Sequence, residues 1–243
     1  MTDAADRLFA RGEATPGGFR FDADVARVFA DMISRSVPGY AEAVAMTGWL
    51  AGRLCREDTH LYDLGCSLGA TLFACQRATE GRGLRYVGVD ASAPMLERCA
   101  AQLEALGAAD TVTLVEQDIR RITFEPASFV ALNWTLQFVP MEDRLPLLTR
   151  IRAALAGGGG LVLSEKIVEE VPAEQALLDG LHLDFKRAQG YSELEIAAKR
   201  TAIEDVLMPE TLAAHRTRLA AAGFTRITLV ARSLNFATLL ACP

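Results

Sequence analysis

The run Asp63-Leu64-Gly65-Cys66-Ser67-Leu68-Gly69 decides how this chain is read. It begins inside the short apolar stretch Leu61-Tyr62-Asp63-Leu64 and leads into a helical pattern, so its glycines occupy a strand-to-helix turn. A backbone without Cβ can approach a ligand closely there. Ser67 stands where a dinucleotide fingerprint needs its second glycine, and no Gly-Lys-Ser/Thr follows as in a P-loop. Asp63, two residues before the first glycine, has the wrong charge for cradling phosphate but suits an ammonium. Taken alone, the run fits a tight turn with a helix-capping aspartate equally well.

Working outward, four more short apolar runs follow the pattern of strands buried on both faces: Arg85–Asp90, Val112–Val115, Phe129–Asn133 and Leu161–Ser164. Helical stripes lie between them. Met95, Cys99, Leu103 and Leu106 form one, with Pro94 in its first turn and Ser92 or Asp90 as its cap. Leu145, Leu148, Ile151 and Leu155 form another, which Gly157 is expected to stop; Pro146 leaves its start open. The alternation predicts an α/β fold with a doubly wound, mostly parallel sheet. Residues 22–55 read as two helices forming a lid, the second with Val44, Met46 or Thr47, and Leu50 along one side. Residues 173–222 read as a helical insertion of two or three helices, with Glu193, Glu195, Lys199 and Arg200 on exposed turns. Ile227 to Leu240 is long enough for two strands joined near Ser233. Nothing in the text cuts the chain, so residues 1–243 are expected to make one α/β domain.

Composition narrows the function classes. Of 243 residues 51% are apolar and 23% charged, which places the chain among folded proteins. The net charge of −6, from 25 basic and 31 acidic residues, argues against direct nucleic-acid binding, which feeds on basic excess. Met1 to Arg11 lacks an apolar core, so no signal peptide is expected, and no run suggests a membrane span. The five cysteines, Cys55, Cys66, Cys75, Cys99 and Cys242, are odd in number and make no C-x-x-C pair. They read as small buried hydrophobes of a reducing, cytoplasmic compartment, and no residue cluster has metal-ligand spacing.

Three further polar positions sharpen the first run. Asp90 ends the second strand, where a carboxylate can accept both hydroxyls of a ribose. Asp118 and Ile119 follow the third, offering a carboxylate to an exocyclic amine and an apolar wall to a purine ring. Asn133 ends the fourth. With Asp63 these residues open onto one edge of the sheet.

The loop, the strand-end acids and the closing strand pair resemble class I S-adenosylmethionine-dependent methyltransferases over roughly residues 60–240. The resemblance implies a seven-stranded sheet whose last strand is antiparallel. It implies Gly65, Cys66 and Ser67 at the methionine moiety of S-adenosyl-L-methionine, Asp90 and Ala91 at its ribose, and Asp118 and Ile119 at its adenine. Longer runs resemble a narrower family, the carboxy-S-adenosyl-L-methionine synthases. They are Asp31–Tyr40, Tyr62–Ala70, Leu132–Phe138, Leu163–Lys166 and Asp184–Ile196 followed by Lys199-Arg200. Trp134 stands where that family commonly has Phe, and the Ala156–Gly160 segment is unusually rich in glycine.

That resemblance implies an enzyme that carboxylates S-adenosyl-L-methionine with prephenate as carboxyl donor, giving carboxy-S-adenosyl-L-methionine and phenylpyruvate. It implies a homodimer and a functional partner, a carboxymethyltransferase acting on a tRNA wobble uridine. Arg200 matches the arginine that binds the new carboxylate, reaching the site from the other subunit, and is the candidate catalytic residue. Tyr40 matches a cofactor-contacting tyrosine. Arg35, and more weakly Lys166 and Arg187, are further candidate anion contacts, and His182 a candidate pocket residue. Trp134 and Phe138 read as pocket wall, while His60 and His215 carry no signal. No metal is implied. Two other readings stay open: a conventional methyltransferase acting on a small molecule or tRNA, and a non-catalytic cofactor-sensing protein.

Overall fold

A computed structural model describes residues 6–9, 20–203 and 206–243; the reading of the N-terminus as free of a signal peptide falls largely outside them. The strands are β1 (His60–Leu64), β2 (Arg85–Asp90), β3 (Val112–Glu116), β4 (Ala127–Asn133), β5 (Leu155–Val168), β6 (Glu210–Thr211), β7 (Arg226–Ser233) and β8 (Phe236–Cys242). The helices are α1 (Ala23–Ser36), α2 (Tyr40–Leu54), α3 (Ala70–Ala78), α4 (Ala93–Ala105), α5 (Met141–Ala154), α6 (Pro172–Ala188), α7 (Glu193–Ile203) and α8 (Leu212–Ala221). The main sheet runs β3-β2-β1-β4-β5-β8-β7, and β6 pairs with β5 off this path. Strands β1 to β5 are mutually parallel where they pair, whereas β8 runs antiparallel to both its neighbours. This is the expected seven-stranded path, with two closing residues of β6 added. The strand order reverses between β1 and β4, and such a switch point opens a crevice at the carboxyl ends of the strands.

Every residue of β4 is buried, as a central strand covered on both faces must be. One face carries Leu132, Leu136, Leu148, Ile151 and Leu219, from β4, α5, α8 and the segment after β4; the other carries Ala51, Leu72, Cys75 and Phe129. All five cysteines are buried, in keeping with small apolar side chains. Helix α2 therefore belongs to the sheet layer rather than to a lid. Gly48 makes this close crossing feasible, because a Cβ there would sit 2.8 Å from the Ala74 carbonyl oxygen of α3. Thr47, Ala43 and Ala51 form its buried side, whereas Val44 and Leu50 are half-buried. The lid is α1, which packs with α4 and α7 through Val25, Val28, Met32, Met95, Ala198 and Ala202.

Four sequence expectations need correction. Helix α4 ends at Ala105, so Leu106 is 66% exposed instead of closing the stripe. Helix α5 accommodates Pro146 in its second turn and ends at Ala154, passing straight into β5. Leu145 is exposed, Leu147 takes its place in the core, and Leu155 is a strand residue. The glycine-rich segment is an irregularity within β5: the partner register moves from Ala127↔Leu155 to Phe129↔Gly160, with Gly158 at φ +85°. Lys199 is buried, not exposed; its Nζ donates to Ser36 Oγ at 2.9 Å and pairs with Asp6 at 3.4 Å.

A buried cation braces the segment between β4 and α5. Arg144 is fully inaccessible; its guanidinium donates to the carbonyls of Val139 (2.9 Å), Gln137 (3.2 Å) and Met208 (3.0 Å) and pairs with Glu210, which also holds Arg218 at 2.5 Å. From the other side Glu165 accepts the Leu136 and Gln137 N–H groups at 2.9 and 3.0 Å. Truncating one partner of a buried charge network costs about 3–5 kcal/mol. Arg144→Met is therefore expected to destabilise by that amount in urea unfolding. Arg218→Met, which leaves Glu210 paired, should cost clearly less; equal losses would show that Arg144 is no special brace.

Candidate active site

The turn after β1 is built from backbone before side chains. Gly65 adopts φ +77°, and the N–H groups of Gly65 and Cys66 both donate to the Val89 carbonyl, at 2.7 and 3.0 Å. A Cβ on Gly65 would fall 2.3 Å from Thr135 Oγ1, so the position tolerates no side chain. Ser67 is held at φ +51° by an N–H bond to Asp90 Oδ2 (2.9 Å), while Asp90 Oδ1 takes the Ser92 N–H (2.9 Å). Ser92 caps α4 through the Met95 N–H. One carboxylate thus ties together the loops after β1 and β2. Burial raises Asp90 above the ordinary carboxylate range, and its three backbone donors partly offset this.

These loops form one side of a cavity of about 700 Å³ over the switch point. The expected site residues Tyr40, Gly65, Cys66, Ser67, Asp90, Ala91, Asp118, Ile119, Asn133 and Arg200 all line it. Cys66 contributes its backbone; its thiol is buried beside Cys99, and its pKa is driven well up. Tyr40 opens α2 with its ring 5.1 Å from that of Trp134, and burial pushes its hydroxyl up to about 12. Phe21 and Phe138 meet edge to face at 5.5 Å and wall the cavity with Trp134.

At the centre sit two acceptors without partners. Asp63 is 2% exposed with Oδ2 unbonded, and Asn133 has Oδ1 unbonded while its amide donates to Thr71 (3.1 Å) and Thr47 (3.3 Å). Burial, then the neighbouring Asp90, pushes Asp63 up to about 7. Buried acceptors left unpaired are costly and call for a donor, and an ammonium fits both. Asp118 faces the cavity with its carboxylate already forked by Arg120, which holds it below its ordinary value; Arg120 also reaches Asp143 at 2.7 Å. Arg120 was not foreseen, although its position two residues after Asp118 is the available signal.

The far wall is cationic. Lys166 on β5, Lys186 on α6 and Arg200 on α7 line the cavity, as does His182, whose Nε2 donates to Ser36 O at 2.9 Å and which burial lowers to about 4, leaving it neutral. Arg200 is exposed at the rim of its own chain's cavity. Two candidate anion contacts are excluded. Arg35 is committed to Asp31 (3.0 Å) and Gln189 O (2.8 Å) with its guanidinium 3.9 Å above the Tyr191 ring. Arg187 pairs with Asp184 and Glu193 on the surface. Lys186 was missed as a single residue, though it lies in the 184–196 run. His215 is buried and away from the cavity. Among the described residues there is no group of three or more metal-ligating side chains, and no helix is long and apolar enough to cross a membrane.

Residues 61–159 match a family model described as a methyltransferase domain. The carboxy-S-adenosyl-L-methionine synthase of Pseudomonas putida strain GB-1 is 51% identical over 247 residues, covering 100% of both chains. That of Shewanella amazonensis is 51% identical over 241 residues, 99% of each. Among solved structures, a putative O-methyltransferase from Nostoc punctiforme superposes with a TM-score of 0.67 at 16% identity, over 97% of this chain and 69% of that one. Human N-acetylserotonin methyltransferase in complex with SAM gives 0.60 at 15%, over 90% of this chain and 55% of that one. At such identities these structures speak for the class I methyltransferase fold alone, in chains longer than this one.

The raised Asp63 carries a sign that can be measured. A carboxylate whose folded pKa (about 7) exceeds its ordinary 3.8 binds its proton more tightly when folded. Its stabilising contribution is full below about pH 4 and is lost as pH rises through 7. Glu165, raised to about 8, acts in the same direction. Asp63→Asn should remove the Asp63 part of this loss, so the ligand-free variant gains on wild type between pH 5 and 8 by roughly 2.5 kcal/mol at most. Urea midpoints at the two pH values check this, and parallel profiles would refute it.

Proposed function

The chain belongs to the carboxy-S-adenosyl-L-methionine synthase family, and we propose that it carboxylates S-adenosyl-L-methionine with prephenate as the donor. The acceptors on Asp63 and Asn133 would take the ammonium of the methionine moiety, Asp90 with Ala91 the ribose, and Asp118, Ile119 and Arg120 the adenine edge and ring. The cofactor's cation would offset the burial and, after it, the Asp90 repulsion that hold Asp63 high. The sulfonium acidifies its methyl group, and loss of that proton leaves a carbanion which can form a carbon–carbon bond to carbon dioxide. Prephenate supplies the carbon dioxide by breaking its ring carbon–carboxyl bond as it aromatises to phenylpyruvate and expels hydroxide. The methyl proton and the hydroxide combine as water, so atoms and charge balance.

The observation that carries this reading is Arg200. It lines the cavity, and no anion of the described residues lies within ion-pair distance of it. A guanidinium has nothing to gain from a sulfonium methyl, whereas a carboxylated methyl offers it a two-pronged partner. A conventional methyltransferase has no use for that charge beside its methyl group. Ligand released from the denatured protein and weighed by mass spectrometry separates the two: carboxylated cofactor supports the synthase, unmodified or demethylated cofactor the methyltransferase. Arg200→Ala should weaken binding of carboxy-S-adenosyl-L-methionine by roughly 2–5 kcal/mol and that of S-adenosyl-L-methionine far less. An unchanged ratio of the two dissociation constants would remove Arg200 from the role.

The proposal extends to assembly and use. Leu177 and Leu181 lie four residues apart on α6, 62% and 41% exposed, and Leu194 on α7 is exposed as well. An apolar face beside the helix bearing Arg200 suits a homodimer in which two chains share their sites. In the cytoplasm the product would pass to an enzyme that carboxymethylates a tRNA wobble uridine, with no nucleic acid bound by this chain. Sedimentation should show a dimer that Leu177→Asp/Leu181→Asp drives towards monomer with loss of turnover. A fully active monomer would end the shared-site arrangement.

A further inference from the structure

The cavity holds more positive charge than one carboxylate needs. Lys166 and Lys186 are half-buried in it, and neither has an anion of the described residues within ion-pair distance. Each arrives there for a structural reason. Along β5 successive side chains alternate: Glu165 turns to the Leu136 and Gln137 N–H groups, so Lys166 turns to the cavity face shared with its pairing partner Phe236. Lys186 descends from α6 one turn after His182, which also lines the cavity. Charged groups facing the pair are Arg200, Lys199, already matched by Asp6, and Asp179, whose carboxylate accepts the Gln175 amide at 2.8 Å. Strand β5 lies three strand spacings from β2, about 14 Å, so the lysines stand well away from Asp90 and the ribose end. Asn133 on the adjacent β4 pairs with Ser164, two residues before Lys166.

We infer that Lys166 and Lys186 form an anion subsite that binds the carboxylates of a small dicarboxylic acid, the carboxyl donor, beside the sulfonium end of the cofactor. Two cations matched to two carboxylates would distinguish the dianionic donor from the monoanionic keto acid left after decarboxylation, favouring release of the latter. An apolar wall of Trp134 and Phe236 completes a pocket for a six-membered ring between the charges. The lysines register their surroundings: burial, with Lys199, Lys166 and Arg200 nearby, lowers Lys186 to about 8, and burial lowers Lys166 against the pull of Asp179. A bound dianion would restore both.

This inference rests on the synthase reading, and its test is arranged so that either can fail alone. Prephenate and phenylpyruvate are titrated by calorimetry into protein saturated with S-adenosylhomocysteine, which lacks the methyl group and so prevents turnover. Wild type should bind prephenate more tightly than phenylpyruvate. Lys166→Met and Lys186→Met should each weaken prephenate by roughly tenfold or more, while S-adenosylhomocysteine binding stays within about twofold. Lys186→Arg should recover part of the loss. Should a methionine variant lose S-adenosylhomocysteine binding, the glutamine variant takes its place. Absence of prephenate binding in wild type, or unchanged affinity in both lysine variants, overturns the subsite. Product assays on wild type judge the reading separately: carboxylated cofactor formed with unaltered donor KM in the variants keeps the synthase and discards the subsite, and lysine-dependent binding without product does the reverse.

Discussion

The site depends on one carboxylate holding two backbone amides. Asp90 receives the N–H of Ser67 on one oxygen and that of Ser92 on the other, each at 2.9 Å. The first bond keeps a non-glycine residue in the left-handed region, at φ +51°, which isolated chains seldom visit. That conformation aims the turn after β1 into the crevice and lets Gly65 approach Thr135 on the opposite strand end. The second bond fixes the start of α4, whose Met95 supports both the lid and Ser67. A charge-assisted bond of this kind is stronger than a neutral one and survives partial burial. Without it the turn after β1 would be held to the end of β2 only by the Gly65 and Cys66 N–H bonds to the Val89 carbonyl, with Ser67 no longer fixed.

Around that reference the protein leaves charge unbalanced, and the imbalance has a direction. Towards β1 and β4 it buries acceptors that find no donor, Asp63 Oδ2 and Asn133 Oδ1. Towards β5, α6 and α7 it gathers Lys166, Lys186 and Arg200, none of which has an anion of the described residues within ion-pair distance, although Asp179 attracts Lys166. Either arrangement is costly in an empty fold, since desolvated groups give up water and receive nothing for it. Both are relieved by one assembly: a ligand that is cationic at one end, lying against a partner that is anionic at the other. Elsewhere the same chain pairs its buried charges carefully, as Arg144 with Glu210 and Lys199 with Asp6 show. The cavity is thus where buried acceptors and unmatched cations face one another.

Much of this was legible in local sequence. Strands β1, β2 and β4 follow from apolar runs, the turn from its glycines, and the α4 cap from Ser92 preceding Pro94. These features depend on neighbours within a few residues. The burial of Lys199 did not show itself, because the partner that makes it tolerable, Asp6, lies 193 positions earlier. Arg35 failed as an anion contact for the same reason: its carbonyl partner Gln189 belongs to a distant helix end. Arg187 was different, for Asp184 sits one turn before it and offered a surface ion pair in plain view. The glycine-rich segment misled in another way, since glycine marks both helix ends and strand irregularities, and only the pairing of β5 with β4 decides between them.

The lid gives the charge pattern its chemical force. Helix α1 and the aromatic side chains of Phe21, Phe29 and Phe138 close over a cavity whose floor is the sheet edge. Excluding water strengthens every charge inside, because the interaction between two charges grows as the local dielectric falls. In the proposed reaction it would also protect the carbanion, whose commonest fate in water is to take a proton back. The lid itself is secured by polar groups: Asp31 accepts the Asp6 N–H and holds Arg35, and Lys199 reaches Ser36 at the end of α1. The polar cluster that anchors α1 borders the cavity, since Lys199 and Ser36 line it alongside Arg200, but the charge of Lys199 is matched by Asp6. Lys199 buries its charge against Asp6 to hold the cover in place. Arg200, at the rim, has no anion of the described residues within ion-pair distance, as the proposed carboxylate contact requires.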